Sequence, residues 1–261
     1  MTENKPNKIF CYTGTGNCYA SSKQIAKELN MEVIHITHEL VESKPHVEGE
    51  VCIIVFPVYA FGVPKLVKHF IRATTFKVEH MVVLDTQGSW HGGALAEAIR
   101  LLRRRKQRVA YTKGIRAVEN FVHMFKLPKE EQIVLITQKQ QELTNGVISD
   151  IKNRKRNRRL LFRPGSDVIS FVFRRVTGMF ARRYKFTDDC NGCGICFKVC
   201  PPRAIEMTEG MPAILPKRCD HCQACMQLCP QKAIKYGRVK PNGRRYKHAD
   251  VPLAELIKRE N

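Results

Sequence analysis

The chain has 261 residues, 43% of them hydrophobic, with 45 Lys and Arg against 24 Asp and Glu, a formal charge of +21. That length suits one large domain or two modest ones, each able to bury a core, and the apolar content excludes a disordered chain. The longest apolar run, "VCIIVFPVYAFGVP", is too short and too interrupted by proline to cross a bilayer, and the polar "MTENKPNKIF" shows no leader pattern, so the cytoplasm is the expected location.

Taken in chain order, "NKIFCY" is a short apolar strand that leads into the turn "TGTGN". A helix follows in "CYASSKQIAKEL", where Ile25, Ala26 and Leu29 recur at helical spacing. "MEVIHI" is a second strand, and "EVCIIVFPVYAFGVP" a continuous apolar run of the kind buried on both faces of a sheet. "PKLVKHFIRAT" is an amphipathic helix, "HMVVLDTQG" a fourth strand, and "GGALAEAIRLLRRRKQR" a helix with Leu95, Ile99 and Leu102 on one stripe. "VAYTKGIRAVENFV" supplies a fifth strand region. A long helix is expected over 129–156, with Ile133, Ile136, Gln140, Leu143, Val147 and Ile151 on one face. Alternation of this kind implies an α/β domain over 1–151, a doubly wound parallel five-stranded sheet in the order 2-1-3-4-5.

Residues 152–184 differ in character. "KNRKRNRR" packs six basic residues into eight, and "LLFRPGSDVISFVFRRVTGMFARRYKF" mixes aromatics with arginines, so this stretch is read as a connector. Cysteines dominate 185–238, and 239–261 form a basic tail with "GRRYKH" and a short helix at "PLAELIKRE".

Eight of the eleven cysteines fall in two runs of one spacing, C-x2-C-x2-C-x3-C-P, 29 residues apart. "CPPRAI" in the first unit answers "CPQKAI" in the second, a true internal repeat. A four-iron cubane needs four thiolates aimed at four irons, with backbone amides near its sulfides. Close spacing lets one loop reach three irons, and Gly192, Gly194 and Ala224 let the backbone approach. The fourth cysteine of each run serves the other cluster. Cys190, Cys193, Cys196 and Cys229 are thus assigned to one [4Fe–4S] cluster, and Cys219, Cys222, Cys225 and Cys200 to the other. Ile195, Val199, Ile205, Leu228 and Ile234 are expected to wall off water. Zinc also takes paired cysteines, but its ribbons show two C-x2-C pairs rather than three cysteines in seven residues. The segment closely resembles the bacterial two-cluster ferredoxins. An odd cysteine count with metal-ligand spacing also argues against a disulfide framework. Cys11 and Cys52 read as buried small hydrophobes.

"YTGTGNCYA" joins a strand to a helix, so amides and hydroxyls converge where a phosphate could sit. A dinucleotide fingerprint would want Gly or Ala at Tyr19 and an acid after the next strand, and a P-loop would want Gly-Lys-Ser/Thr; both are missing. The third reading is the monophosphate loop of flavodoxins, rich in Thr, Gly and Asn, beside the plain alternative of a Gly-rich packing turn between strand and helix. "FPVYAFGVP" and "TQGSWHGG" end the third and fourth strands, so they flank the same crevice with Tyr59, Phe61 and Trp90, while Gly88, Gly92 and Gly93 allow close amides.

The first 150 residues resemble a flavodoxin-type FMN domain. The whole chain, "RRYKH" included, resembles the family of flavodoxin–ferredoxin fusion proteins. The resemblance implies that Thr13, Gly14, Thr15, Gly16 and Asn17 cradle an FMN phosphate, and that Pro57, Tyr59, Gly62, Thr86, Gly88, Trp90 and Gly93 frame the ring. Cys18 stands where the family has Ser or Thr, a poorer donor to the phosphate. A redox role for the Cys18 thiol competes with its reading as a small residue at a helix start.

Positive charge in "LLRRRKQR" suits a helix C-terminus, and "KNRKRNRR" is either a solvated linker or a docking patch for an acidic electron-transfer partner. The apolar residues of 160–184 are read as a connector packed over the first domain in preference to a membrane-surface helix. Specific nucleic-acid binding is not expected. The function expected is electron transfer between FMN and two [4Fe–4S] clusters, which couples two-electron to one-electron partners. No catalytic residue is assigned. The rivals are a flavin-dependent reductase of a small substrate and a basic binding or sensor protein with structural clusters.

Overall fold

A computed structural model describes residues 7–88, 92–157, 180–237 and 243–258. Trp90 and most of the expected connector, 158–179, lie outside the described residues. Five strands, β1 (Lys8–Cys11), β2 (Glu32–His35), β3 (His46–Pro57), β4 (Thr75–Gln87) and β5 (Val109–Arg116), make one parallel sheet in the order β2-β1-β3-β4-β5. This is the flavodoxin-like order read from the sequence. β3 and β4 are central, and their inner ends read as unbroken apolar runs because both faces are covered; Ile53, Ile54, Val55, Val82, Val83 and Leu84 are all fully buried.

Helices α1 (Asn17–Leu29), α3 (Lys65–Ala73), α4 (Ala94–Arg104) and α5 (Glu130–Lys152) cover the sheet. One face carries α3 and α4 over Phe10, Phe56, Phe70 and Met81, and the other carries α1 and α5 over Ile9, Val55, Tyr111 and Ile148. Burial on α5 falls on Gln140, Thr144, Val147, Ile148 and Ile151, so only its second half is a core helix. Ile133 and Ile136 are half-buried, and Val134 and Leu135 are exposed. Arg103 to Lys106 end α4 in solvent, as expected of a charged helix end. Cys11 and Cys52 are fully buried, and burial pushes Cys11 up to about 12, which makes both inert thiols.

One element has no hydropathy signature: the five-residue α2 (His38–Glu42), with Thr37 as its N-cap accepting from the Leu40 amide. It is fixed from outside. The His38 amide donates to Pro201 O at 3.0 Å, and Glu39 pairs with Arg203.

The cysteine-rich part is built around two small antiparallel pairs. β6 (Tyr184–Phe186) pairs with β9 (Ile234–Tyr236), and β7 (Ile205–Thr208) with β8 (Met211–Ile214). β6 thus begins one residue inside the stretch read as connector. Between the strands lie the single-turn helices α6 (Ile195–Lys198) and α7 (Ala224–Gln227). The C-terminal stretch carries α8 (Leu253–Leu256) and is far from a loose tail: Tyr246, His248, Val251 and Leu256 are all at most 4% exposed.

Candidate functional site

The two cysteine runs fold as the repeat demands. Gly192, Gly194 and Arg203 have φ of 70°, 71° and 50°, and 29 positions later His221, Gln223 and Lys232 have 55°, 58° and 51°. The left-handed turns are therefore repeated in the backbone, with glycine at two of the three positions in the first unit and side chains at all three in the second. Gly192 needs its missing side chain, since a Cβ there would lie 2.5 Å from the Gly210 carbonyl oxygen.

Two cavities result. Cys190, Cys193, Cys196 and Cys229 line the first, beside Ile195 and Ile234. Cys200, Cys219, Cys222 and Cys225 line the second, beside Tyr184 and Ile205. Each is lined by three cysteines of one run and the fourth of the other. Backbone amides already reach sulfur: Ala204 N–H points at Cys200 Sγ (3.2 Å) and His221 N–H at Cys219 Sγ (3.4 Å).

The donor chemistry suits a cluster. A single zinc ion would draw its thiolates to about 3.8 Å from one another, given Zn–S bonds near 2.3 Å. Among the described residues no group of three or more His, Cys, Asp or Glu is gathered for one metal ion. Four thiols around a cavity fit four separate irons instead. Burial pushes Cys196 and Cys219 up to about 12 and raises Cys222 and Cys225 as well, with neighbouring thiols adding to the effect at Cys196, Cys219 and Cys225 and the Asp220 carboxylate at Cys222. Four thiolates in so apolar a place need a cationic core to hold them.

The cavities differ in setting. Cys193 is exposed and Cys190 and Cys229 are half-buried, so the first lies at the surface. The second faces the sheet: Cys222 packs against the core of β1, β3 and α3. Between Cys219 and Cys222, Asp220 is a buried carboxylate. It accepts from Tyr12 Oη (3.1 Å) and from the Lys65 and Leu66 amides (3.2 and 3.0 Å) at the start of α3. Burial raises its pKa, and the Leu66 amide pulls it back first.

The residues expected to hold a flavin do converge on the carboxyl edge of the sheet. Thr13, Gly14, Thr15, Gly16, Asn17 and Cys18 follow β1, Pro57 ends β3 with Tyr59 and Gly62 beyond it, and Thr86 lies in the last residues of β4 with Gly88 and Gly93 beyond it. The geometry there is closed. Thr13, Thr15, Asn17 and Cys18 are 1%, 3%, 8% and 1% exposed. Thr13 Oγ1 accepts from the Gly16 amide, Thr15 Oγ1 from Asn120 Nδ2, and Asn17 Oδ1 from Tyr246 Oη (2.7 Å). His248 N–H donates to Thr15 O at 2.9 Å. A Cβ built on Gly14 would lie 2.4 Å from Cys222 O and 3.2 Å from Tyr59 Oη, and one on Gly16 would lie 2.9 Å from His248 Cβ. Further out, the Gly93 amide bonds to Phe61 O, which ties the two ring-framing loops together. Residue types at this edge suit a flavin phosphate, and in this arrangement the chain's own Cys222 and His248 cover the loop. Cys18 is fully buried with Sγ 3.0 Å from Thr86 Oγ1, and burial holds its pKa high, so it acts as a small core residue and not a redox thiol.

The residues that close the edge were missed in the sequence. Asn120, Gln227, Tyr246 and His248 are joined through the loop, and Gln227 Nε2 donates to Asn120 O while Gln227 Oε1 accepts from the Tyr246 amide, both at 2.9 Å; Asp220 stands apart, bonded to Tyr12, Lys65 and Leu66. Apart from the Gln227–Tyr246 bond, their partners lie about a hundred residues away or more, and only "RRYKH" gave a sign of two of them.

Comparison with known proteins agrees for the cysteine-rich part: residues 189–233 match the family of 4Fe-4S dicluster domains. The chain therefore joins a flavodoxin-like sheet to a domain of that class. No curated protein matches. Among solved structures, the sheet domain is similar to the Trp repressor binding protein of Bacillus subtilis, with 13% identity, 57% of this chain and 99% of that one covered, and a TM-score of 0.38. The two-electron-reduced flavodoxin of Megasphaera elsdenii gives 12% identity, coverage of 55% and 98%, and a TM-score of 0.34. Rubredoxin oxygen:oxidoreductase of Desulfovibrio gigas gives 9%, 57% and 38%, and 0.34, so this chain spans little more than a third of that one. The strand order stands on the hydrogen-bonded ladder itself. The domains define an electron-transfer redox protein. No described helix is long and apolar enough to cross a membrane.

Proposed function

We propose that the chain is a two-cluster electron carrier with an outer and an inner centre. Cys190, Cys193, Cys196 and Cys229 hold the outer [4Fe–4S] cluster, which meets redox partners at the surface. Cys219, Cys222, Cys225 and Cys200 hold the inner one, against the carboxyl edge of the sheet. The observation that carries this reading is the crossed lining of the two cavities. Each fourth ligand comes from the other run, so the centres are neighbours and electrons pass singly between them.

The chain's own part is to exclude water and to set potentials. Isoleucines and prolines wall the outer cavity, and Tyr184, Ile205 and Ile214 the inner. Cationic groups stand by each: Arg245 feels the Cys229 thiolate, and the Lys258 ammonium, pushed down to about 8 by burial, is drawn back up first by Cys222. Positive charge favours the reduced, more negative cluster and raises its potential. The net charge of +21 favours an acidic redox partner at the exposed Cys193 side.

A second reading is favoured by the convergence of the three loops on one edge, beside Cys222. FMN bound there would supply one- and two-electron exchange next to the inner cluster. It requires the covered edge to open.

Anaerobic purification followed by iron, sulfide and flavin analysis tests both readings. About eight irons per chain are expected. Two irons or fewer would end the first reading, and a chain that never takes up flavin would end the second.

A further inference from the structure

The Thr13–Asn17 loop is engaged on every side by the chain itself. Its polar side chains are taken by Asn120 and Tyr246, and its Thr15 carbonyl by His248. Its glycines are covered by the Cys222 carbonyl, His248 and Val251. Val251 is fully buried, in one apolar cluster with Val199, Ala224, Leu228 and Leu256. The cover is thus bolted to the cluster domain: Gln227 on α7 holds both Asn120 and Tyr246. The Lys258 amide donates to Lys198 O at 3.0 Å, and Lys23 pairs with Glu255 at 2.7 Å. The Cys222 carbonyl oxygen comes within 2.4 Å of a Cβ built on Gly14, and a carbonyl dipole so placed opposes a phosphate dianion on the same loop.

Resting on the flavin reading above, we propose that the 243–258 strap with the Cys222 turn and a flavin phosphate are alternative occupants of the Thr13–Asn17 loop. In the closed form the loop clamps the inner cluster's run to the sheet. Flavin phosphate enters only when the strap lifts, and its entry frees Tyr246 and His248. The ligand class is a flavin mononucleotide, taken at the start of α1 by the Gly14 to Asn17 backbone. A strap closed most of the time weakens apparent affinity by the fraction of molecules that are open.

The test uses the anaerobic holoprotein titrated with FMN, with flavin fluorescence as the readout and iron content measured alongside. Tyr246→Phe combined with Val251→Asn removes the Asn17 hydrogen bond and places an unpaired amide in the apolar cluster, so the strap opens while all eight cysteines and the loop stay intact. The double variant is expected to bind FMN at least tenfold more tightly than the wild type at equal iron content. Hydrogen exchange on the wild type gives an independent reading: saturating FMN is expected to speed exchange at the His248 amide, and this measurement decides alone if the variant loses iron. Equal affinities with an unchanged His248 amide would overturn the competition and leave flavin binding standing. No FMN binding by either protein, with strap exchange unmoved, would overturn both.

Discussion

The Tyr12 hydroxyl donates a 3.1 Å hydrogen bond to Asp220, 208 residues further along the chain. One carboxylate therefore joins the end of β1, the first turn of α3 and the loop of the inner cluster. Asp220→Ala leaves the Lys65 and Leu66 amides and a buried hydroxyl unpaired, and is expected to cost about 2–3 kcal/mol. Asp220→Asn keeps one acceptor oxygen and should cost less. Chemical unfolding followed at the cluster absorbance and by circular dichroism checks this; a silent Asp220→Ala variant would remove the residue from the docking account.

Crossed ligation has a measurable signature. Cys229→Ala, a change in the second run, should abolish the outer cluster, and Cys200→Ala, in the first, the inner one. Each variant should retain about four irons if the remaining site survives. Outer-cluster loss should also come first under chelator or oxygen, because Cys193 is exposed whereas Cys200 and Cys219 are buried. Electron paramagnetic resonance of the reduced protein distinguishes the two.

Two glycines should respond oppositely to alanine. Gly14→Ala drives a methyl against the Cys222 backbone oxygen, 2.4 Å away, and is expected to destabilise the docked form by about 1–3 kcal/mol. Gly146 lies inside α5 with nothing within 4 Å of a new Cβ, so Gly146→Ala should stabilise by about 0.5–1 kcal/mol. Denaturant midpoints of the two variants, measured side by side, decide it.

His35 stacks on Tyr19 at 4.7 Å, and its Nε2 lies 2.9 Å from Glu255 O. Burial pushes its pKa down from 6.5 to about 4, with the Lys258 charge helping and the Glu255 carbonyl opposing. The unfolded chain therefore binds the proton more readily than the folded one. Stability from this group is complete above pH 6.5 and lost as pH falls toward 4, by about 3 kcal/mol. His35→Gln should flatten that part of the profile, and the His35 ring resonance should not titrate between pH 7.5 and 5.5.

Legibility in the sequence followed locality. Strand order came from apolar runs such as Ile53–Phe56 and Val82–Leu84, whose burial on both faces is written residue by residue. Ligand partition came from spacing, because three cysteines within one loop report on a geometry only a few residues wide. The cover over Thr13–Asn17 was invisible for the opposite reason. Tyr246, His248, Asn120 and Gln227 are polar residues without periodicity, and each acquires meaning only from a partner on another element. Helix α2 likewise takes its place from Pro201 and Arg203, not from a hydrophobic face of its own.

The matched left-handed turns of the two cysteine units carry one more consequence. Side chains in that conformation cost roughly 1–2 kcal/mol each relative to glycine, yet His221 and Gln223 stand where the first unit has Gly192 and Gly194. His221 lies 5.7 Å from the Tyr184 ring, and Gln223 Nε2 lies 3.4 Å from His123 Nδ1. A twofold motif has been made lopsided at these two turns, where the second unit carries held side chains in place of glycine. Detached from the sheet, the inner half should be the frailer of the two, although it is the better hidden one in the assembled chain.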